Sequence, residues 1–508
     1  CCCSSSKDNM PSVYIKTYGC QMNERDSEAV AAQLVAKGYS LAPSEAVADV
    51  ILLNTCSVRD MAEQKAIGKM NNIIADVRRN RPDVVLGFMG CMAQSRGQQL
   101  IDQLPDVDLV VGTQKFHRTA DYLDEILKGR RDKIVDTNAE TGSEAAIREH
   151  LLHGQRGGNG HRAPVSAFVS IMQGCNQYCT FCIVPYTRGE ERSRTIVDIV
   201  SECRQLAESG AKEITLLGQI VTSYGKREIP VEDRRSAFVQ LLEAVSDIEG
   251  LERIRFTSPH PKGYGDDLVT AYGRLPKLCQ SAHLPLQSGS DRILKLMHRG
   301  YTRSRYLGII EKLRKAQPDI GVTTDIIVGF PGETDADFEE TLSLARETQF
   351  DNAYIFKYSP RKDTPAADMP GQVPKEIKEE RNARLLETIN SIGLRHYEQR
   401  VGHTVQILVE GPSKKNPARL SGRTRCNKIV VFEGSERLIR QLVNVKIVRS
   451  GSFTLYGETE LPPDDGIVLP KTQPSASYIR RSPSDDDSKL DHIYNTLPPF
   501  PGPEPSST

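Results

Sequence analysis

Twice along this chain, short β-branched runs alternate with stretches of helical periodicity. That pattern commits a chain to parallel sheets, because each crossover between neighbouring strands runs through a helix. In the first 140 residues the runs fall at 13–18, 50–54, 84–89 and 108–111, with 26–37 and 62–79 helical between them. The alternation resumes at Pro164 with runs at 167–172, 213–217, 253–257, 282–286, 322–328 and 353–358, and with helices such as 196–209 and 335–347. Six units over about 210 residues predict a full or partial (β/α) barrel rather than a flat doubly wound sheet. A helix over 375–394 leads into a β-rich module with strands at 404–409, 428–432 and 442–448, the size of a small barrel of the OB type. The fold class is therefore α/β: an N-terminal parallel-sheet domain (11–136), a polar linker (137–162), a central barrel (163–397) and a small C-terminal β-barrel (398–460). Residues 1–10 and the Pro-, Ser- and Asp-rich 461–508 have little to bury and are expected to be disordered.

The 508 residues hold no apolar run near the roughly 18–20 needed to span a bilayer, and residues 1–9 have no apolar signal region. A cytoplasmic protein with no membrane partner is expected. The chain opens on three cysteines, which leaves Met10 as a candidate natural start and a lipidation scar as the other reading of the triplet. Net charge is zero, yet residues 401–450 carry ten Lys/Arg against three Glu, a local +7. A basic module in a neutral chain points to a local anionic partner, most commonly RNA. Its candidate contacts are Lys414, Lys415, Arg419, Arg423, Arg425 and Lys428; a solvated face is the bland alternative.

In a reducing compartment twelve cysteines are not read as disulfides. Cys203, Cys279 and Cys426 sit singly and read as small buried hydrophobes. Cys175-Asn-Gln-Tyr-Cys179-Thr-Phe-Cys182 is different: three thiols within eight residues, directly after a strand. They can wrap one face of a 4Fe–4S cluster and leave its fourth iron open to substrate or cofactor. A structural zinc would need a fourth protein ligand from elsewhere. Cys20, Cys56 and Cys91 are far apart in sequence but each lies just past a predicted strand end, and strand ends of a parallel sheet converge on one crevice. They imply a second three-thiol cluster, or else three buried thiols.

The Cys-x3-Cys-x2-Cys spacing after the first barrel strand is similar to the radical S-adenosylmethionine (SAM) signature. The order of motifs extends the resemblance over roughly residues 12–458. Tyr18-Gly19-Cys20-Gln21-Met22-Asn23, Asn54-Thr55-Cys56-Ser57-Val58-Arg59 and Gly90-Cys91-Met92-Ala93-Gln94 resemble the N-terminal domain of the radical SAM methylthiotransferase family. Gln173-Gly174-Cys175 through Cys182-Ile183-Val184-Pro185-Tyr186-Thr187-Arg188-Gly189, Ser258-Pro259-His260-Pro261, His283 to Ser290 and Phe356 to Pro360 resemble its barrel, and Gly422-Arg423-Thr424 with Val430-Val431-Phe432 its RNA-binding TRAM domain. Within the family, the wording points to the branch acting on N(6)-dimethylallyladenosine of tRNA. It departs from that branch at Ile220 and Thr222, where Asn is usual, and at Asp363, where Gly is usual.

The resemblance implies two 4Fe–4S clusters, an auxiliary one on Cys20, Cys56 and Cys91 and a SAM-binding one on Cys175, Cys179 and Cys182. It implies SAM contacts from Phe181, Gln219, Ser258, His283, Gln287, Val328 and Gly329, the last within the loop Gly329-Phe330-Pro331-Gly332 over the adenine. It also implies two SAM molecules per turnover: one methylates a sulfur on the auxiliary cluster, the other yields a radical that removes hydrogen from carbon 2 of the adenine. That C–H bond has no acidic proton, so side-chain acid–base chemistry does not reach it. The implied partners are tRNA through its anticodon loop, a reductant such as flavodoxin or ferredoxin, and a sulfur donor, with the chain a monomer. Methylthiolation of threonylcarbamoyl-adenosine, of a ribosomal-protein aspartate, or a nonenzymatic redox-sensing iron–sulfur RNA binder stay open as alternatives.

Overall fold

The computed structural model describes residues 10–57, 60–138 and 163–459. Residues 1–9, most of the expected linker (139–162) and the expected tail from 460 onward lie outside the described residues, as do Val58 and Arg59. The chain divides into two units, 1–389 and 390–508.

The first unit begins with six parallel strands: β1 (Ser12–Tyr18), β2 (Ser40–Leu41), β3 (Val50–Thr55), β4 (Val85–Gly90), β5 (Leu109–Val111) and β6 (Ile134–Asp136). Their spatial order is β2-β1-β3-β4-β5-β6. β3 and β4 are buried along their whole lengths, as unbroken apolar runs in a parallel sheet must be when helices cover both faces. Alternate residues serve the two faces: Ile51, Leu53, Leu86 and Phe88 pack on one, and Val50, Leu52, Val85 and Met89 on the other. Helix α1 (Gln21–Ala36) follows β1 immediately, α2 (Asp60–Asn80) joins β3 to β4, and α3 (Cys91–Arg96) springs straight from β4.

The central region holds β7 (Ser166–Ser170), a short antiparallel pair β8 (Met172–Gln173) and β9 (Arg192–Ser193), then β10 (Glu213–Leu217), β11 (Arg253–Phe256), β12 (Ser281–His283), β13 (Gly321–Val328) and β14 (Asn352–Lys357). β7, β10 and β11 form one parallel sheet, and β12, β13 and β14 another. A parallel bridge between Ile254 and Leu278 links the two. The six strands thus follow chain order, and among the described residues no pairing joins β14 back to β7, so the barrel is a partial one. One continuous apolar core draws on both sheets. In β13 the even-numbered residues from Val322 to Val328 are buried, while Thr323, Asp325 and Ile327 are partly open.

The second unit is a closed five-stranded barrel of β15 (Thr404–Pro412), β16 (Leu420–Thr424), β17 (Ile429–Phe432), β18 (Leu442–Ser450) and β19 (Thr454–Thr459), in the order β15-β16-β17-β19-β18. Ile407, Val409, Val430, Phe432, Val443, Val445 and Leu455 fill it. No helix among the described residues is long and apolar enough to cross a membrane.

Candidate active site

β1, β3 and β4 are neighbours and parallel, so Tyr18, Thr55 and Gly90 end on one edge of the sheet. Cys20, Cys56 and Cys91 follow those ends and meet there. The Cys56 side chain hydrogen-bonds Cys20; this bond, aided by the nearby Arg188 guanidinium, holds the Cys20 thiol down to about 6 against the opposite pull of burial. Burial pushes the Cys91 thiol up, Arg188 pulls it down and Cys20 adds to the push. All three thiols therefore share one electrostatic neighbourhood.

Two amides lock the cradle. Asn23 Nδ2 donates to Asn54 Oδ1 at 2.9 Å, and Asn54 Nδ2 donates to the Asn23 carbonyl and to Ser27 Oγ, each at 2.9 Å. The Cys20 thiol donates to Asn23 Oδ1 at 3.1 Å. Gly90 has φ +97°, and a Cβ there would lie 2.2 Å from Asn54 Oδ1. The chain needs glycine because the amide lock occupies that space.

The second triad sits on a loop that is closed at its base. β8 pairs Gln173 with Arg192, the Cys175 N–H donates to the Gly189 carbonyl at 3.0 Å, and the Gly174 N–H donates to Gln219 Oε1 at 2.7 Å. Thr180 binds the loop to the barrel through its N–H to the Met297 carbonyl and its carbonyl to the Ala366 N–H. Burial pushes Cys175 up to about 11 and Cys182 up to about 12, and in each case the charge of Cys179 adds to the push. Arg299, itself buried, donates from Nη1 to Cys179 Sγ at 3.4 Å and from Nε to the Tyr301 hydroxyl at 3.2 Å. Gly174 has φ +85°, and a Cβ there would come 1.9 Å from the Glu190 carbonyl oxygen. Gly174→Ala is expected to open the loop base, at a cost of about 1–3 kcal/mol for the backbone conformation alone, with the clash added. The checks are a lower Tm and fewer irons per chain after anaerobic reconstitution.

The expected SAM contacts gather at the carboxyl ends of the barrel strands. Gln219 and Ser258 lie two residues beyond β10 and β11, His283 ends β12, Val328 ends β13 and Gly329 follows it. Gln219 is already engaged on the triad loop. Ser258 and Gln287 hold positive φ, +55° and +68°. His283 contacts Thr323 Oγ1 at 3.0 Å and Asp325 Oδ2 at 3.3 Å. The Gly329 N–H donates to Glu333 Oε1 at 2.8 Å, and Phe181 packs against a small apolar cluster containing Phe330 and Tyr358. Thr222 accepts the His260 N–H at 3.0 Å and so fastens the loop after β11, while Ile220 is buried. Asp363 holds φ +66°, a conformation that suits glycine.

In the second unit the six basic candidates do not form one patch. Lys414 and Lys415 are exposed in the β15–β16 turn, where Arg419 pairs with Glu433 at 2.8 Å. Arg425 lies in the turn at the other end of β16, and Arg423 pairs with Glu410 at 3.2 Å. Lys428 is buried, its ammonium 5.3 Å from the centre of the Tyr397 ring, and is withdrawn from any RNA-facing surface.

The sequence alone does not single out Asn23, Asp26, Asn54, Arg188 or Arg299 for a role. Asn23, Asn54 and Arg188 belong to the motifs that carry the family resemblance, so adjacency to the cysteines is their signal; Asp26 and Arg299 have none. Arg188, six positions past Cys182, pairs with Asp26 Oδ2 at 2.7 Å. Nearby, Arg25 meets Glu202 at 2.5 Å and Glu202 meets Arg194 at 2.6 Å. These buried pairs fix the N-terminal sheet against the barrel.

Three family models match in the same order as this architecture: the uncharacterized protein family UPF0004 at residues 12–112, the Radical SAM superfamily at 169–345 and the TRAM domain at 398–459. The tRNA-2-methylthio-N(6)-dimethylallyladenosine synthase of Opitutus terrae is 53% identical over 472 residues, covering 89% of this chain and 98% of that protein. The chain belongs to this methylthiotransferase family. The synthases of the same name from Akkermansia muciniphila and Moorella thermoacetica are 51% and 47% identical, over 88% and 87% of this chain and 98% and 97% of their own lengths. Among solved structures, the radical S-adenosylmethionine methyltransferase TsrM from Kitasatospora setae matches with a TM-score of 0.52 at 12% identity, over 70% of this chain and 74% of its own, a likeness of fold.

The donor sets suit what such a family needs. Soft thiolates select iron–sulfur clusters or zinc, and each site offers three of them. Among the described residues, no three His, Cys, Asp or Glu side chains are close enough to share one metal ion. A four-iron cluster asks something different, one thiolate per iron. At the first site the buried Arg188 guanidinium stands beside the thiols and pairs with Asp26 at 2.7 Å without a well-directed hydrogen bond from either Nη atom, which suits a cationic donor next to the sulfurs of a cluster.

Proposed function

We infer that the chain methylthiolates carbon 2 of N(6)-dimethylallyladenosine next to the anticodon of tRNA. It is a radical SAM transferase that uses S-adenosylmethionine and two 4Fe–4S clusters. The observation that carries the reading is the pair of separate three-thiol sites in one chain, one past the carboxyl ends of the parallel strands β1, β3 and β4 and the other on the loop that follows β8. Cys175, Cys179 and Cys182 hold the cluster that supplies the electron for reductive SAM cleavage; Cys20, Cys56 and Cys91 hold the auxiliary one.

The chain's own residues do the rest. Gly174 and Gln219 shape the loop that presents three thiolates toward the barrel mouth. Arg299 places a positive charge and a hydrogen bond on Cys179. Phe181, Ser258, His283, Gln287, Val328 and Gly329 line the strand ends where SAM binds, within a barrel whose mouth keeps water and stray C–H bonds from a reactive species. The target base lies in a single-stranded loop, where it can be splayed out of its stack and enclosed. Lys414, Lys415, Arg419, Arg423 and Arg425 of the β-barrel bind the tRNA backbone. A flavodoxin or ferredoxin delivers electrons to a monomeric enzyme, and a separate donor restores sulfur.

Nucleoside mass spectrometry of tRNA from a strain lacking this gene tests the substrate. The expected outcome is complete loss of the 2-methylthio form and accumulation of N(6)-dimethylallyladenosine. Accumulation of threonylcarbamoyl-adenosine without its methylthio group would move the assignment to the sister activity, with the buried Ile220 as the first residue to exchange.

A further inference from the structure

We propose that Arg188 is a positioning residue of the auxiliary site: its guanidinium enters the Cys20–Cys56–Cys91 cradle from the barrel, donates hydrogen bonds to sulfur there and, balanced by Asp26, sets the reduction potential of the cluster. The proposal rests on the reading that these three cysteines hold a cluster.

Burial is the first support. Arg188 is 2% exposed and Asp26 is 1% exposed, and they meet at 2.7 Å. Desolvating such a pair costs several kcal/mol per ion, and a packed apolar pair would hold an interface as well or better. Stability alone is therefore a weak reason for placing this pair beside three thiols.

Hydrogen bonding is the second. A guanidinium carries five N–H donors, and one carboxylate satisfies two at most. Arg188 faces the Cys91 thiol as well as Asp26, and in the 2.7 Å pair neither its Nη atoms nor the two Asp26 oxygens make a well-directed hydrogen bond, so the fork is free to turn toward sulfur. Sulfur atoms of a cluster spanning the cradle would supply the acceptors, and hydrogen bonds and charge at the sulfurs are what tune such potentials.

Delivery is the third. Arg188 closes the short helix Val184–Arg188, which begins two residues after Cys182. Thr113 of the N-terminal domain donates through its hydroxyl to the Thr187 carbonyl, and a Cβ on Gly189 would lie 2.8 Å from Gln114 Nε2. The segment that carries the SAM-site thiols is thus hydrogen-bonded to the N-terminal domain on one side of Arg188 and packed closely against it on the other. The Arg25–Glu202–Arg194 chain is the internal control: it crosses the same boundary through equally buried ions, and the Glu202 carboxylate spends its two oxygens on the two arginines.

The test is an EPR-monitored redox titration of the full-length protein carrying Cys179→Ala, so that the auxiliary cluster alone is observed. Reconstitution of this parent should give about four irons per chain. Arg188→Met should move the midpoint to more negative potential, because a positive charge favours the reduced cluster. Arg188→Lys, which keeps the charge and loses the planar fork, should fall between. Asp26→Asn should move it the opposite way, and Glu202→Gln should leave it at the parent value. Opposite signs from the two halves of one ion pair are something a merely structural role does not produce. Unchanged midpoints and EPR spectra for Arg188→Met and Asp26→Asn, or shifts of the same sign, would overturn the proposal. If Arg188→Met fails to fold, Arg188→Lys and Asp26→Asn decide it. A parent that takes up no iron overturns the cluster reading itself, a result distinct from a loaded parent whose potential ignores both charges.

Discussion

Cys91→Ala is expected to abolish methylthio transfer while leaving SAM cleavage intact. The substitution leaves two thiolates at the strand-end cradle, Cys20 and Cys56, and the auxiliary cluster should be lost with them. The loop of Cys175, Cys179 and Cys182 is tied down by Gln219, Met297, Gly189 and Arg299, all of them on the barrel side. Dithionite-driven formation of 5′-deoxyadenosine should therefore persist. Cys179→Ala should behave oppositely, with no reductive cleavage but about four irons and four sulfides retained at the auxiliary site. The wild-type chain should bind about eight irons, two clusters' worth. Wild type saturating at about four irons, together with a Cys91→Ala variant that still transfers sulfur, would return the N-terminal cysteines to the status of buried thiols.

The cysteine geometry was legible because strand ends announce themselves. The runs at 50–54, 213–217 and 322–328 are rich in Val, Ile, Leu and Thr, and the observed strands match them to within a residue at each end. What escaped reading had another physical basis. β2, β6 and β16 are short or polar, and tertiary pairing rather than propensity makes them strands. Helix α1 begins at Gln21 rather than at residue 26, because its first turns bury Asn23, Arg25 and Asp26. Their burial rests on an amide lock and two ion pairs instead of apolar packing, so no 3.6-residue apolar period marks them. The same residues place the cysteines, so the site's supports were the least visible part of the sequence. Arg25 and Glu202 stand 177 residues apart, and no local pattern joins them. Lys428 shows the converse: its charge counted toward a basic surface, but the side chain lies inward over Tyr397.

Removing residues 401–460 is expected to cost most of the tRNA affinity and to flatten its salt dependence, without touching SAM cleavage in the absence of tRNA. The reason is electrostatic. The chain is neutral as a whole, so no global field draws it to nucleic acid, and the local +7 of residues 401–450 has to do so. Every phosphate of a single-stranded target that is no longer neutralised lowers the slope of log affinity against log salt by about 0.7. The fold narrows which residues can reach those phosphates. Lys414 and Lys415 are exposed in one turn, Arg425 lies at the far end of β16, and Lys428 is buried. Lys414→Ala with Lys415→Ala should therefore lower the slope by about 1.4, the equivalent of two phosphates, whereas Lys428→Met should leave the slope alone and lower the Tm of the small barrel instead. Filter-binding titrations across a salt series separate the two effects. A double-lysine variant with unchanged slope would show that this turn is a solvated face and would shift the RNA-binding assignment to the end of β16 that carries Arg425.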